Sequence, residues 1–350
     1  MSRTHIFIPD TQVKPGVDMT YLSAIGEYIA FKKPDVIVHI GDHADMPSLS
    51  SYDKGKAAAE GRRYHKDIDA AIEGMDLLVS PIKSAIQKDK KWKPRMVFTE
   101  GNHEFRISRL SEDNPLLHGK VSLADLQYQK FGWEVHDFLK PVEIDGIMYC
   151  HFFANPFSGK PYGGSAANIL SKVGKSFSQG HKQTFDVTQR YLPTGERQIG
   201  LVAGAAYPWD ESYKGYQGNK HFRGLVVKHR VENGSYDLMQ VSLDYLIDRY
   251  KNRHNIPKPE YLADEPTVNQ LMNEILENNP RVYMMGEKTL HELIQDTSFC
   301  SLLNQVSDNL IKELRTRNFI EDISYTNSQE LKEVISRGKF TTDNRFVVLS

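Results

Sequence analysis

Arg95-Met-Val-Phe-Thr-Glu-Gly-Asn-His-Glu104 is the stretch on which the reading of the fold turns. It begins as a short, mostly apolar run of strand type and stops abruptly at the polar cluster Gly101-Asn102-His103-Glu104. Two earlier stretches repeat the pattern: His5 to Ile8 runs into Asp10-Thr-Gln12, and Val36 to Ile40 runs into Gly41-Asp42-His43. Between them, Leu22, Ile25 and Ile29, and then Ile68, Ile72, Met75 and Val79, fall three and four apart, the spacing of an amphipathic helix. Strand, polar loop and helix in repetition indicate a layered α/β domain. In such a sheet the loops that follow parallel strands gather along one edge, so distant polar clusters can meet there.

From Val142 onward the pattern changes. Asp145-Gly146 and Asn233-Gly234 sit between apolar or alternating runs, as in hairpins. A second sheet is expected from Val142 to Ile144, Ile147 to His151, Ser176 to Gln179, Phe185 to Tyr191, Ile199 to Ala203, Leu225 to Val231 and Tyr236 to Val241. Residues 1–250 then form one domain, and residues 251–260, polar with two prolines, form a linker. Residues 261–350 read as a small, mainly helical domain, with helices at about 266–278, 287–296, 299–317 and 326–336 and a strand from Arg345 to Leu349. Three helices followed by a strand loosely resemble a winged helix. Residues 256–350 hold 10 Lys and Arg against 15 Asp and Glu, a net of −5, while residues 1–255 hold 34 against 30, a net of +4. An acidic tail of that kind argues against duplex binding and suits a protein partner or self-association.

The 350 residues are 25% charged and 39% hydrophobic with a formal net charge of −1, which excludes a disordered chain and gives no global attraction to nucleic acid or an anionic membrane. Cys150 and Cys300 are too few for a disulfide framework. No run of 18 apolar residues is present, and Asp10, Lys14 and Asp18 interrupt the place where a signal peptide needs an apolar core. A cytoplasmic location without membrane association is expected.

The chemistry lies in five blocks: Asp10-x-Gln12, Gly41-Asp42, Gly101-Asn102-His103-Glu104, His151 and Gly180-His181-x-Gln183. Carboxylate, amide oxygen and imidazole are the ligand types of a divalent cation, and each block stands at or just after the end of an expected strand. Taken in order, the blocks resemble the signature of the calcineurin-like metallophosphoesterase superfamily over roughly residues 5–245. The text Gly41 to Arg63 and Gly101 to Arg106 is most similar to the stand-alone members encoded by bacteriophages. The resemblance implies a four-layer α-β-β-α sandwich and two divalent metal ions, Mn²⁺ ahead of Mg²⁺, Fe²⁺, Ni²⁺ or Zn²⁺. It places one ion on Asp10, Gln12, Asp42 and Gln183 and the other on Asp42, Asn102, His151 and His181, with Asp42 shared. It also implies phosphate-ester hydrolysis, foremost of phosphodiesters in DNA, RNA or nucleotides, by in-line attack of a hydroxide between the metals. His103 would assist the leaving group and Glu104 would orient His103; a phage enzyme would work in the host cytoplasm.

Gln12 and Gln183 depart from the superfamily pattern, which has histidine at both positions. Either the first site is built from oxygen ligands alone, which favours harder ions, or Gln183 points away and the first ion is loosely held. Arg106, one turn past His103, and Arg62 and Arg63 are candidate substrate contacts. Tyr207, Trp209, Tyr213 and Tyr216 could stack on a base or anchor a loop. Two further readings stay open at this point: a phosphomonoesterase acting on nucleotides or phosphoproteins, and a metal-binding interaction module of low activity.

Overall fold

A computed structural model of the chain describes residues 2–51, 60–211, 214–254, 338–340 and 346–348. The chain divides into two compact units, Met1–Ile256 and Pro257–Ser350. The first is α/β. In chain order its elements are β1 (Arg3–Ile8), α1 (Thr20–Lys32), β2 (Val36–His39), α2 (Tyr64–Lys88), β3 (Arg95–Thr99), α3 (Phe105–Asp113), β4 (Glu134–His136), β5 (Val142–Ile144) and β6 (Ile147–Tyr149). There follow α4 (Ala166–Val173), β7 (Phe177–Gln179), β8 (Phe185–Tyr191), β9 (Arg197–Ala203), α5 (Gly215–Asn219), β10 (Gly224–Glu232), β11 (Ser235–Ser242) and α6 (Leu243–Arg253).

Two mixed sheets result, one in the order β11-β10-β1-β2-β3-β4 and the other in the order β5-β6-β7-β9-β8. In the first, β1 to β4 are parallel, as their helical crossovers require. Side chains alternate between faces along each strand. Ile6, Ile8, Ile37, Met96, Phe98, Leu225 and Val227 pack with the apolar faces of α1, α2 and α6. Their neighbours Phe7, Val36, Val38, Val97 and Val226 turn the other way and meet Ile144, Ile147, Tyr149, Ile199 and Leu201 of the second sheet. On the far face of that sheet, Phe177 and Val202 pack on Ala166, Ile169 and Leu170 of α4. The layers therefore run helices, six-stranded sheet, five-stranded sheet, helix.

Both Asx-Gly turns are as the sequence indicates: Asp145, Gly146, Asn233 and Gly234 all have positive φ, the backbone of a tight hairpin turn. One assignment needs correction. β10 and β11 do not join the second sheet; β10 pairs antiparallel with β1 in the first. The hairpin signal fixes which two strands pair with each other and not which sheet receives them. β4, three residues long and half-exposed, has too short a pattern to be seen in the sequence. α6 continues to Arg253, so residues 251–253 complete a helix. In the second unit the described residues form one antiparallel pair, β12 (Gly338–Phe340) with β13 (Phe346–Val348), the latter inside the strand expected near Arg345 to Leu349. The four expected helices of that unit lie outside the described residues.

Candidate metal centre

All five blocks come to one edge. Asp10 and Gln12 follow β1, Asp42 follows β2, Asn102 and His103 follow β3, His151 follows β6, and His181 and Gln183 follow β7. Parallel β1, β2 and β3 deliver the first three to the carboxyl edge of their sheet, and parallel β6 and β7 deliver the rest from the facing sheet. The loops are tied to one another: the amides of Thr11 and Gln12 donate to the Asp42 carbonyl, at 3.2 and 3.0 Å, and that of Val13 donates to the His43 carbonyl. Gln12, Asp42, His181 and Gln183 all have left-handed φ, between 48° and 66°, and such strain persists only where the surroundings enforce it. The glycines of the motifs are required by contact. A Cβ on Gly101 would lie 2.1 Å from Asp42 Oδ1, and one on Gly180 would lie 2.2 Å from Asp10 Oδ1.

Among the described residues, Asp42, His151 and His181 bring one ligand atom each to within 4.8 Å of one another. Asn102 completes the group, its Oδ1 lying 2.7 Å from His181 Nδ1 and 3.0 Å from His151 Nε2. His151 Nδ1 meets the Ile40 carbonyl at 2.8 Å, so it carries the hydrogen and donates it. Nε2 faces Asp42 Oδ2, 3.2 Å away, and Asn102 Oδ1, 3.0 Å away. Two oxygens converge on this nitrogen, a place that favours positive charge, whether a proton on Nε2 or a cation among the three atoms. His151 shows the same demand in its proton affinity: burial lowers it, but the Asp42 carboxylate outweighs burial and brings the pKa up to about 9. Asp42 is correspondingly held well below the usual carboxylate range, burial opposing and His103 and His151 prevailing. His181, which burial and the neighbouring His151 push down to about 4, stays neutral.

His103 stands beside this cluster, its backbone amide donating to Asp42 Oδ1 at 2.9 Å and its Nε2 lying 3.7 Å from Asp42 Oδ2. Its orientation comes from Asp45, whose carboxylate is 2.9 Å and carbonyl 2.8 Å from Nδ1. Sequence reasoning gave that task to Glu104 and missed Asp45. Glu104 instead accepts from the backbone amides of Asp42 and Gly101 through Oε2, and from Ala44 through Oε1. It fixes the loop that carries Asp42. Asp45 has no spacing that sets it apart, although the short text Asp42-His-Ala-Asp45 keeps it within one turn of the cluster.

Arg106 joins the network: it donates to the Asp45 carbonyl at 2.8 Å and lies 3.3 Å from His103 Nε2. Arg62 and Arg63 sit where α2 begins, donating to the carbonyls of Pro47 and Arg62 respectively, so these bonds anchor backbone and do not reach the cluster. His43 is fully buried between Thr11 and the Ala71 carbonyl and is a structural residue. Tyr207 is buried and stacks on Trp209 at 5.1 Å, while Tyr216 is exposed and Tyr213 lies outside the described residues.

The first ion's expected ligands are arranged differently. Asp10 is buried, its Oδ1 accepts from the His181 amide at 3.1 Å, and its Oδ2 has no hydrogen-bond partner. Burial above all, with Asp42 adding, raises its pKa to about 6. Gln12 Nε2 is 3.3 Å from Asp42 Oδ2, and Gln183 Oε1 accepts from the Tyr207 hydroxyl at 2.7 Å. The orphaned Asp10 oxygen suits a cation; the two amides offer it little.

No family model matches the chain. Among curated proteins it is similar to the Gene 54 protein of Mycobacterium phage L5, 40% identical over 140 residues, which are 39% of this chain and 51% of that protein. It is also similar to the Gene 54 protein of Mycobacterium phage D29, 38% identical over 71 residues, 20% of this chain and 28% of that protein. The matches span about half or less of the relatives' length, and both relatives are bacteriophage proteins. Among the described residues no helix is long and apolar enough to cross a membrane.

Proposed function

We propose that the chain is a divalent-cation-dependent hydrolase of phosphate esters of the calcineurin-like type, acting on phosphodiesters in nucleic acid or nucleotides, within the host cytoplasm in keeping with its phage relatives. The observation that carries the reading is the convergence of ligand atoms: Asp42 Oδ2 and Asn102 Oδ1 lie 3.2 and 3.0 Å from His151 Nε2, and the His151 ring is oriented through Nδ1 by the Ile40 carbonyl. One carboxylate, one amide oxygen and two imidazoles make a mixed nitrogen and oxygen set that suits Mn²⁺ and also accepts Fe²⁺, Ni²⁺ or Zn²⁺. The layered α/β architecture, which brings the candidate ligands together at the ends of strands, supports this reading.

A cation bound there supplies Lewis acidity toward a phosphoryl oxygen and neutralises charge as the ester bond breaks. The chain's own residues do the rest. His103, held by Asp45 through Nδ1, presents Nε2 at the border of the cluster, and the charge of Asp42 and Asp45 outweighs burial to raise the pKa of that ring. A proton on Nε2 can pass to the leaving alkoxide oxygen. Arg106, fixed on the Asp45 carbonyl, places guanidinium nitrogen beside His103, where it can hold a phosphoryl oxygen.

Hydrolysis of bis-p-nitrophenyl phosphate and p-nitrophenyl phosphate, measured with Mn²⁺, Mg²⁺, Ni²⁺ and Zn²⁺ and with Asp42→Ala as control, tests the reading. Diester turnover that vanishes in Asp42→Ala is expected. Monoester preference would make it a phosphatase, and cation binding without turnover would make it an interaction module. Single-stranded DNA, duplex DNA, RNA and cyclic nucleotides then rank the natural substrate class.

A further inference from the structure

Gln183 has a neighbourhood that decides how its amide is turned. The Tyr207 hydroxyl lies 2.7 Å from Gln183 Oε1 and 2.5 Å from Lys214 Nζ. Lys214 also sits over the Tyr207 ring, 5.1 Å from its centre. An ammonium can only donate, so the Tyr207 oxygen accepts from Lys214 and its single hydrogen goes to Gln183. The atom that receives it must be an acceptor. Oε1 is thereby turned to Tyr207, which leaves Nε2, the donor end, as the atom the amide can offer elsewhere, and Gln183 favours the ionised form of Asp10. At pH 7 Lys214 is an ammonium even though burial pulls its pKa down to about 8.

We infer that Tyr207 and Lys214 are positioning residues that lock the Gln183 oxygen away from a cation, so that the chain binds one divalent cation tightly, at Asp42, Asn102, His151 and His181, and not a pair. The inference rests on the cation-dependent reading above. An amide NH₂ carries partial positive charge on both hydrogens and repels an ion placed between Asp10 and Asp42. The oxygen that would ligate such an ion is spent on Tyr207, and the Gln12 amide nitrogen also points to Asp42. Two carboxylates then remain where a hard divalent ion seeks about six oxygen ligands. Positive charge on that side comes instead from Lys214, whose charged form Asp10 favours.

Electron paramagnetic resonance and calorimetric titration of the full chain with Mn²⁺ at pH 7 test this without recourse to turnover. The wild type is expected to take up one equivalent and to show the spectrum of an isolated ion. Gln183→His is expected to take up two equivalents and to show a spin-coupled pair. Tyr207→Phe keeps the ring and removes the hydrogen that holds Oε1, so the amide can turn and a second, weaker equivalent should appear. A spin-coupled pair in the wild type overturns the inference and leaves the cation-dependent reading standing. A wild type that binds no Mn²⁺ overturns both, and a Tyr207→Phe chain that still takes one equivalent removes Tyr207 from the lock.

Discussion

Gly101→Ala is the sharpest single perturbation of the centre. The added Cβ would fall 2.1 Å from Asp42 Oδ1, 2.3 Å from the Asp42 amide nitrogen and 2.8 Å from Glu104 Oε2. Two of these atoms, the Asp42 amide nitrogen and Glu104 Oε2, form the hydrogen bond that fixes the Asp42 loop, and none is the loose end of a flexible side chain. Ordinary contact between carbon and oxygen begins near 3.4 Å, so the carboxylate must retreat by about 1.3 Å. A metal site tolerates about 0.2 Å in its ligand distances, several times less than that retreat. Overpacking of this kind costs about 1–3 kcal/mol of stability in addition. Mn²⁺ affinity should fall at least about 100-fold, as read by calorimetry, and the melting point should lose its dependence on Mn²⁺. Gly163→Ala is the control, because a Cβ there meets nothing within 4 Å and the backbone is not left-handed. A Gly101→Ala protein that binds Mn²⁺ as tightly as the control would refute the reasoning.

His103→Asn should reduce turnover by about 10²- to 10⁴-fold while the Mn²⁺ content measured by elemental analysis stays unchanged, since the proposed function has its side chain donate a proton and ligate nothing; loss of the metal would reassign it. Glu104→Gln replaces one acceptor oxygen with an NH₂ set against backbone N–H groups, and chemical denaturation should record a loss of about 1–3 kcal/mol; an unchanged midpoint would contradict its loop-holding role. Lys228 is fully buried among Phe7, Tyr149 and Tyr236, and burial holds its pKa well below the ordinary value. Between that lowered native value and about 10.4 the unfolded chain binds one more proton than the native one, so stability should rise with pH by about 1.4 kcal/mol per unit. Lys228→Met should flatten that rise in denaturation curves taken at several pH values, and it should also raise the pKa of His5, which burial and Lys228 together hold at about 4.

The sequence carried most of the candidate centre because its residues are punctuated. Asp10, Asp42, Asn102, His151 and His181 each follow a strand, and Gly101 and Gly180 stand where carboxylates press against the backbone. What escaped was set by tertiary contact. Glu104 neighbours His103 in the chain, which suggested a side-chain pair, yet its carboxylate turns inward to the loop after β2. Asp45 and Lys214 act through partners 58 and 7 residues away, at spacings that carry no periodic signal. β10 is buried on both faces and could belong to either sheet by pattern, so only its pairing with β1 decides the matter.

That pairing also bears on how the chain is made. β1 lies between β10 and β2, so the strand that leads into Asp10 and Gln12 has an open flank until the ribosome has released residue 232. Translation must therefore finish nearly the entire first unit before the six-stranded layer can close, and a nascent chain paused earlier exposes an apolar edge to its neighbours. Truncation after β4 should yield an aggregating fragment and not a smaller working protein.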